Sequence, residues 1–176
     1  IVVRGKNELE VIKGLDQNGT DPKVISDLLQ KYKKYWRFLH LRWKTEGSVT
    51  EDNLHPFTVY DESGTQIYFM HNGTLYDYKP QMQDQRSDSR IFAEEFLTPF
   101  LKQSQGDYLS DLSKRIISKF WGISGDSKGL IVSNKFSPLY MNFSDWKDIK
   151  TDTPEVTFKA SNDTYFDNLT RGFEFD

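Results

Sequence analysis

The apolar residues of this chain change their spacing twice, and that order bounds the fold. Between residues 58 and 78 they fall in short strand-like runs, 58–60, 66–70 and 74–78, broken at Asp61-Glu62-Ser63-Gly64 and at Asn72-Gly73. From Asp88 the spacing turns helical. Ile91, Phe92 and Phe96 share one face of a segment that Asp88 can cap and that ends near Pro99. Leu109, Leu112, Ile116 and Phe120 share a face of the next, which stops at Gly122. After Gly129 strand patterns return at 130–133, 139–143 and 156–159. Upstream, Ile1-Val2-Val3 reads as a buried strand, Asp21-Pro22 opens a helix carrying Val24, Leu28 and Tyr32, and 36–43 reads as another strand. Elements grouped as strands, helices and strands predict an α+β layered fold rather than an alternating parallel sheet.

The length, 176 residues, fits a single domain over 1–176, and 36% hydrophobic content suffices for a core. A formal charge of −3, from 23 basic and 26 acidic residues, argues against a general nucleic-acid binder, which needs a basic face. The Lys/Tyr/Trp run at 31–36 reads as a solvated helix end that suits the helix dipole. No apolar stretch reaches the roughly 20 residues of a membrane span, and no secretory leader is recognisable, so a cytoplasmic location without membrane contact is expected. The chain has no cysteine, which removes disulfides, thiolate metal sites and a thiol nucleophile from the residues present.

All three histidines lie between positions 40 and 71, alongside a cluster of polar motifs. These are His40-Leu41-Arg42-Trp43-Lys44-Thr45-Glu46-Gly47, Asn53-Leu54-His55-Pro56, His71-Asn72-Gly73 and Ser87-Asp88-Ser89. An Arg leaving an apolar strand can clamp a carboxylate with its planar fork. An Asp at a helix start can hold an ammonium group. A loop with Asn-Gly can turn a side-chain amide and a backbone N–H toward a developing oxyanion. Together these groups suit an α-amino acid with a carbonyl in its side chain. Taken singly, each has a plainer reading: Asn72-Gly73 as a type I′ hairpin turn, Asp88 as an N-cap, Arg42 as an ion-pair partner, His55-Pro56 as a buried turn. No helical ligand spacing supports a metal pair at His40 and His71.

In their order and spacing, the four motifs resemble those of the class II glutamine amidotransferases, members of the N-terminal nucleophile (Ntn) hydrolase superfamily. The resemblance spans about residues 36 to 100. It implies a four-layer αββα sandwich, two antiparallel sheets packed between helices. It also implies roles. Arg42 would pair with the glutamine α-carboxylate and Asp88 with its α-ammonium, while Thr45 would contact the substrate and Trp43 would shape the pocket wall. Asn72 and Gly73 would form the oxyanion hole. His71 and Glu46 would also border the substrate, Glu46 standing where many members carry His. The family nucleophile is an N-terminal Cys whose own α-amine accepts the proton, and Ile1-Val2-Val3 stands where the strand after it belongs. The expectation is therefore a Cys just before Ile1, release of ammonia from glutamine or a related small amide, no cofactor and no metal, and a synthase partner subunit receiving the ammonia. The alternative is a nucleophile-less binding module for an amino acid or a protein.

Overall fold

The computed structural model describes residues 1–5, 8–15, 22–42, 47–121, 127–142, 144, 146–149 and 158–162. Strands β1 (Val2–Arg4), β2 (Leu9–Val11) and β3 (Trp36–Phe38) form an antiparallel sheet in the order β2-β1-β3, and α1 (Pro22–Lys31) connects β2 to β3. A second antiparallel sheet runs β4-β5-β6-β7, from β4 (Phe57–Glu62), β5 (Thr65–Asn72), β6 (Lys128–Ser133) and β7 (Leu139–Met141). The helical segments α2 (Asp88–Ile91), a π-helical stretch Phe92–Leu97, α3 (Thr98–Gln103) and α4 (Asp111–Trp121) intervene between β5 and β6. A two-stranded ribbon, β8 (Lys147–Ile149) with β9 (Phe158–Ala160), follows.

Alternation along β5 and β6 explains the layering, because successive side chains of a strand point to opposite faces. Met70, Leu130 and Val132 face the first sheet and pack with Val2, Leu9 and Phe38. Ile67, Phe69 and Ile131 face the other way, onto Phe92, Leu97, Leu101, Ile117 and Trp121 of the helices. Each such fully buried side chain contributes about 1.5–3 kcal/mol relative to exposure. Sheet on sheet with helices on the outer face of the larger sheet is the α+β arrangement the sequence predicts.

Several local expectations change. Residues 74–78 do not form a strand; Tyr76–Tyr78 make a 3-10 turn. The strand expected over 36–43 extends only from Trp36 to Phe38 among the described residues. The helix from Asp88 does not end near Pro99, since the chain remains helical to Gln103. Pro99 sits near the start of α3, where its missing N–H is tolerated. On α4 the buried face is Ser113, Ile117 and Trp121, whereas Leu112 is 69% exposed and Phe120 48%. The buried stripe begins on a serine whose hydroxyl accepts from Ser110 Oγ at 2.9 Å, so a satisfied polar residue hides the apolar period.

Gly129 sits where β6 passes under Trp121. A Cβ there would approach the Met141 methyl and come to 2.6 Å from Trp121 Cη2. The Trp121 ring is held edge-on by Phe69, His71 and Phe92 and cannot swing aside cheaply. Gly129→Ala is expected to destabilise the fold by about 1–3 kcal/mol, read as a lowered thermal midpoint. An unchanged midpoint would show that this corner is loosely packed.

Candidate active site

The polar motifs are scattered over some fifty residues, and backbone contacts lock them together. Gly47 takes φ +74°, and a Cβ on it would lie 2.7 Å from Ser87 N, so the end of the first motif rests directly on the last. Asn53 is fully buried and braces the same junction: its Nδ2 donates to Gln85 O (2.7 Å) and Ser48 O (3.1 Å), and its Oδ1 accepts from Ser87 N (2.8 Å). The Asn of Asn-x-His-Pro is thus a cross-brace, with every polar group used.

Ser87, not Asp88, caps α2, its hydroxyl accepting from Arg90 N. Asp88 is therefore released from the capping role. Its buried carboxylate accepts from Leu75 N (2.6 Å) through Oδ2 and from Ser89 N (2.7 Å) through Oδ1. A carboxylate offers about four acceptor positions, so capacity remains for a ligand ammonium. Ser89 Oγ donates to Asp88 Oδ1 (3.2 Å) and lies 2.7 Å from His71 Nδ1. Since the hydroxyl has one proton and the carboxylate can only accept, His71 carries its proton on Nδ1 and donates to Ser89. A directed chain His71–Ser89–Asp88 results.

Asn72 closes β5 and pairs with Lys128 in the β5–β6 ladder. Its Nδ2 donates to Ser161 Oγ at 2.7 Å, which fixes the direction of the amide and leaves its second N–H for another acceptor. The hairpin reading of Asn72-Gly73 does not hold. Gly73 takes φ +125° and crosses closely over Ser127, whose Oγ would lie 2.5 Å from a Cβ, and the chain leaves the sheet toward Tyr76 instead of reversing. Only glycine fits that crossing. Ser127 Oγ in turn donates to Thr74 O (3.0 Å).

The three histidines gather at this end of the sheets. His40 Nε2 donates to His71 O (2.8 Å), tying the segment after β3 to the end of β5, and its ring stacks on His55 at 3.9 Å. His55 is buried against Phe57, and neither ring nitrogen has a partner among the described residues. Burial dominates their titration. It lowers His40 to about 4, with the nearby charges of the amino end and Arg42 acting the same way against the opposing bond to His71 O. It lowers His71 to about 3, His40 adding to the effect, and His55 falls well below its usual value. All three are neutral at physiological pH. The Ile1 nitrogen is also partly buried, donating to Ile12 O (2.8 Å). Burial likewise lowers Arg42, and the neighbouring Asp88 carboxylate opposes that effect.

The structure therefore brings His40, His55, His71, Asn72, Arg42, Asp88 and the amino end into one region. Trp43, Thr45 and Glu46 lie outside the described residues. Among the described residues no group of three His, Asp or Glu side chains is placed to hold a metal ion. Three serines escaped the sequence reading: Ser89 in the histidine chain, Ser127 beneath Gly73 and Ser161 on Asn72. Ser89 stands beside Asp88 in its motif, whereas nothing local marks Ser127 or Ser161.

Residues 5–90 match the family of class II glutamine amidotransferases, over the same stretch that supplies these side chains. The chain carries a class II glutamine amidotransferase domain. It is 30% identical over 143 residues to a glutamine–fructose-6-phosphate aminotransferase (isomerizing) of Methanothermobacter thermautotrophicus, covering 73% of this chain and 24% of that protein. The enzyme of the same name from Sulfolobus acidocaldarius is 37% identical over 87 residues, 49% of this chain and 14% of the relative. That of Shouchella clausii is 25% identical over 142 residues, 78% of this chain and 22% of the relative. The chain thus spans a quarter or less of the length of the curated relatives it matches. No solved structure matches it. Among the described residues, no helix of this amidotransferase domain is long and apolar enough to cross a membrane.

Proposed function

We propose that this domain hydrolyses the side-chain amide of glutamine and releases ammonia. The observation that supports it most is the adjacency of Arg42 and Asp88, opposite charges, with Arg42 and the amino end both near His40. A free amino acid carries a carboxylate and an ammonium on one carbon, and such a pair of receptors recognises both. In this reading Arg42 takes the α-carboxylate and Asp88 the α-ammonium, and Trp43, Thr45, Glu46 and His71 border the side chain. A Cys immediately before Ile1 supplies the nucleophile, and its α-amine takes up the thiol proton.

The thiolate then attacks the amide carbon. The resulting oxyanion accepts from the Asn72 side-chain amide and the Gly73 backbone N–H, each donor worth about 3–4 kcal/mol of barrier. The ammonium of the cysteine returns the proton to the leaving nitrogen, ammonia departs, and a glutamyl thioester remains. Water, activated by the same amine, attacks the thioester, so that glutamate leaves and the thiol is restored. Ammonia passes to an acceptor handled by a synthase partner or domain, and no cofactor is needed. The αββα architecture belongs to this reading too, with α1 as the outer helical layer and 1–176 as one domain, in the cytoplasm.

The test is a chain with Cys preceding Ile1, incubated with glutamine and assayed for glutamate. Steady glutamate release that Cys→Ala abolishes supports the reading. No release, with glutamine still bound in calorimetry, would favour the binding-module alternative.

A further inference from the structure

Asp88 and Ser89 hold the Asn72-Gly73 segment from both sides. Asp88 Oδ2 accepts from Leu75 N (2.6 Å), two residues after Gly73. Asp88 Oδ1 is linked through the Ser89 hydroxyl to His71, one residue before Asn72. That oxygen receives two donors from a single residue, Ser89 N at 2.7 Å and Ser89 Oγ at 3.2 Å. A carboxylate held by donors on both oxygens has its plane fixed, and its remaining acceptor positions then point in set directions.

The Ser89 hydroxyl is itself directed. His71 Nδ1, 2.7 Å away, donates to its lone pair and leaves its single proton for the carboxylate. The His71 ring is buried, and Trp121 meets it at right angles with centroids 5.2 Å apart. Burial keeps that ring neutral, with a pKa of about 3, so His71 sends an oriented dipole toward Asp88 and no competing positive charge. The backbone around Asp88 does not depend on this chain. Ser87 caps α2, Asn53 Oδ1 accepts from Ser87 N, and Ser89 N reaches Oδ1 whatever side chain residue 89 carries. What the hydroxyl adds is the orientation of the carboxylate and of His71.

We infer that Ser89 is a positioning residue for an amino-acid ligand: with His71 behind it, its hydroxyl orients the Asp88 carboxylate to receive the α-ammonium. Buried Ser89 acts through Asp88 and not on the ligand. The inference rests on the proposed role of Asp88 as ammonium receptor, but it concerns binding and does not depend on the amide chemistry.

Isothermal titration of the full chain with L-glutamine and with 4-carbamoylbutanoate, which is glutamine without its α-amino group, tests it. Ser89→Ala is expected to weaken glutamine about tenfold or more and to leave 4-carbamoylbutanoate within about twofold, because only glutamine presents an ammonium to Asp88. A merely structural loss at residue 89 would weaken both ligands alike. Ser89→Thr keeps the hydroxyl and is expected to bring glutamine back to within about threefold of the native affinity. Unchanged glutamine affinity in Ser89→Ala, equal losses for the two ligands, or no glutamine binding at millimolar concentration overturns the inference. So does a Ser89→Thr chain that binds no better than Ser89→Ala at a native thermal midpoint. Glutamate release by the chain with Cys before Ile1 is a separate readout. Its absence, with glutamine binding still sensitive to Ser89→Ala, counts against the amide-hydrolysis reading and leaves the positioning role standing.

Discussion

Asn72→Ala in the glutamine-hydrolysing chain is expected to lower kcat by about 10²–10³-fold while KM changes little. The reason lies in when the contact forms. In the proposed reaction, the amide N–H that Ser161 leaves available meets an oxyanion that exists only after attack, so its loss raises the barrier without weakening ground-state binding. Arg42→Ala should behave differently. In the proposed reaction Arg42 holds the α-carboxylate in substrate and transition state alike, so that variant should lose affinity, with KM rising about 10²-fold and kcat retained far better. Steady-state kinetics on the two variants separate the roles. A normal kcat in Asn72→Ala would remove Asn72 from the oxyanion hole.

The second large effect concerns acid. His40 and His71 titrate at about 4 and about 3 in the folded chain, against an ordinary value of about 6.5. Their neutral forms are the buried ones, so between pH 6.5 and those values the unfolded chain binds more protons and stability rises with pH. Lowering the pH from 7 to 4.5 is therefore expected to cost roughly 2–3 kcal/mol for each of these two histidines. Thermal or urea unfolding followed across that range should show the loss. His40→Asn should flatten the slope by about the share of one histidine while lowering stability at pH 7, because the bond to His71 O is disturbed. A stability flat from pH 7 to 4.5 would contradict the buried neutral cluster.

Much of this arrangement was legible in the residues themselves. The runs at 66–70 and 130–133 read as strands in the sequence, and they are near-continuously apolar because both faces of β5 and β6 are buried against different layers. Arg42, Asn72 and Asp88 stood out as candidates only as a set, through the order and spacing of their motifs, since each alone has a plainer reading. Local rules failed where tertiary contacts outweigh them. Asn72-Gly73 carries the hairpin signature, yet the chain there crosses Ser127, a residue more than fifty positions away, and glycine serves close approach instead of reversal. Asp88 looks like a cap, but the adjacent Ser87 takes that role and frees the carboxylate. The buried face of α4 hides behind Ser113, whose polarity is satisfied inside. Ser127 and Ser161 reach Gly73 and Asn72 only through the fold, across more than fifty positions, which no short-range pattern encodes.

The most direct test of the account is a crystal structure of the Cys-bearing chain with L-glutamate, the proposed product. The account predicts the α-carboxylate on the Arg42 guanidinium, the α-ammonium on the Asp88 carboxylate, and a side-chain oxygen within hydrogen-bond distance of Asn72 Nδ2 and Gly73 N, beside the cysteine sulfur. Glutamate bound in another orientation, or lodged where Arg42 and Asp88 do not both reach it, would contradict it.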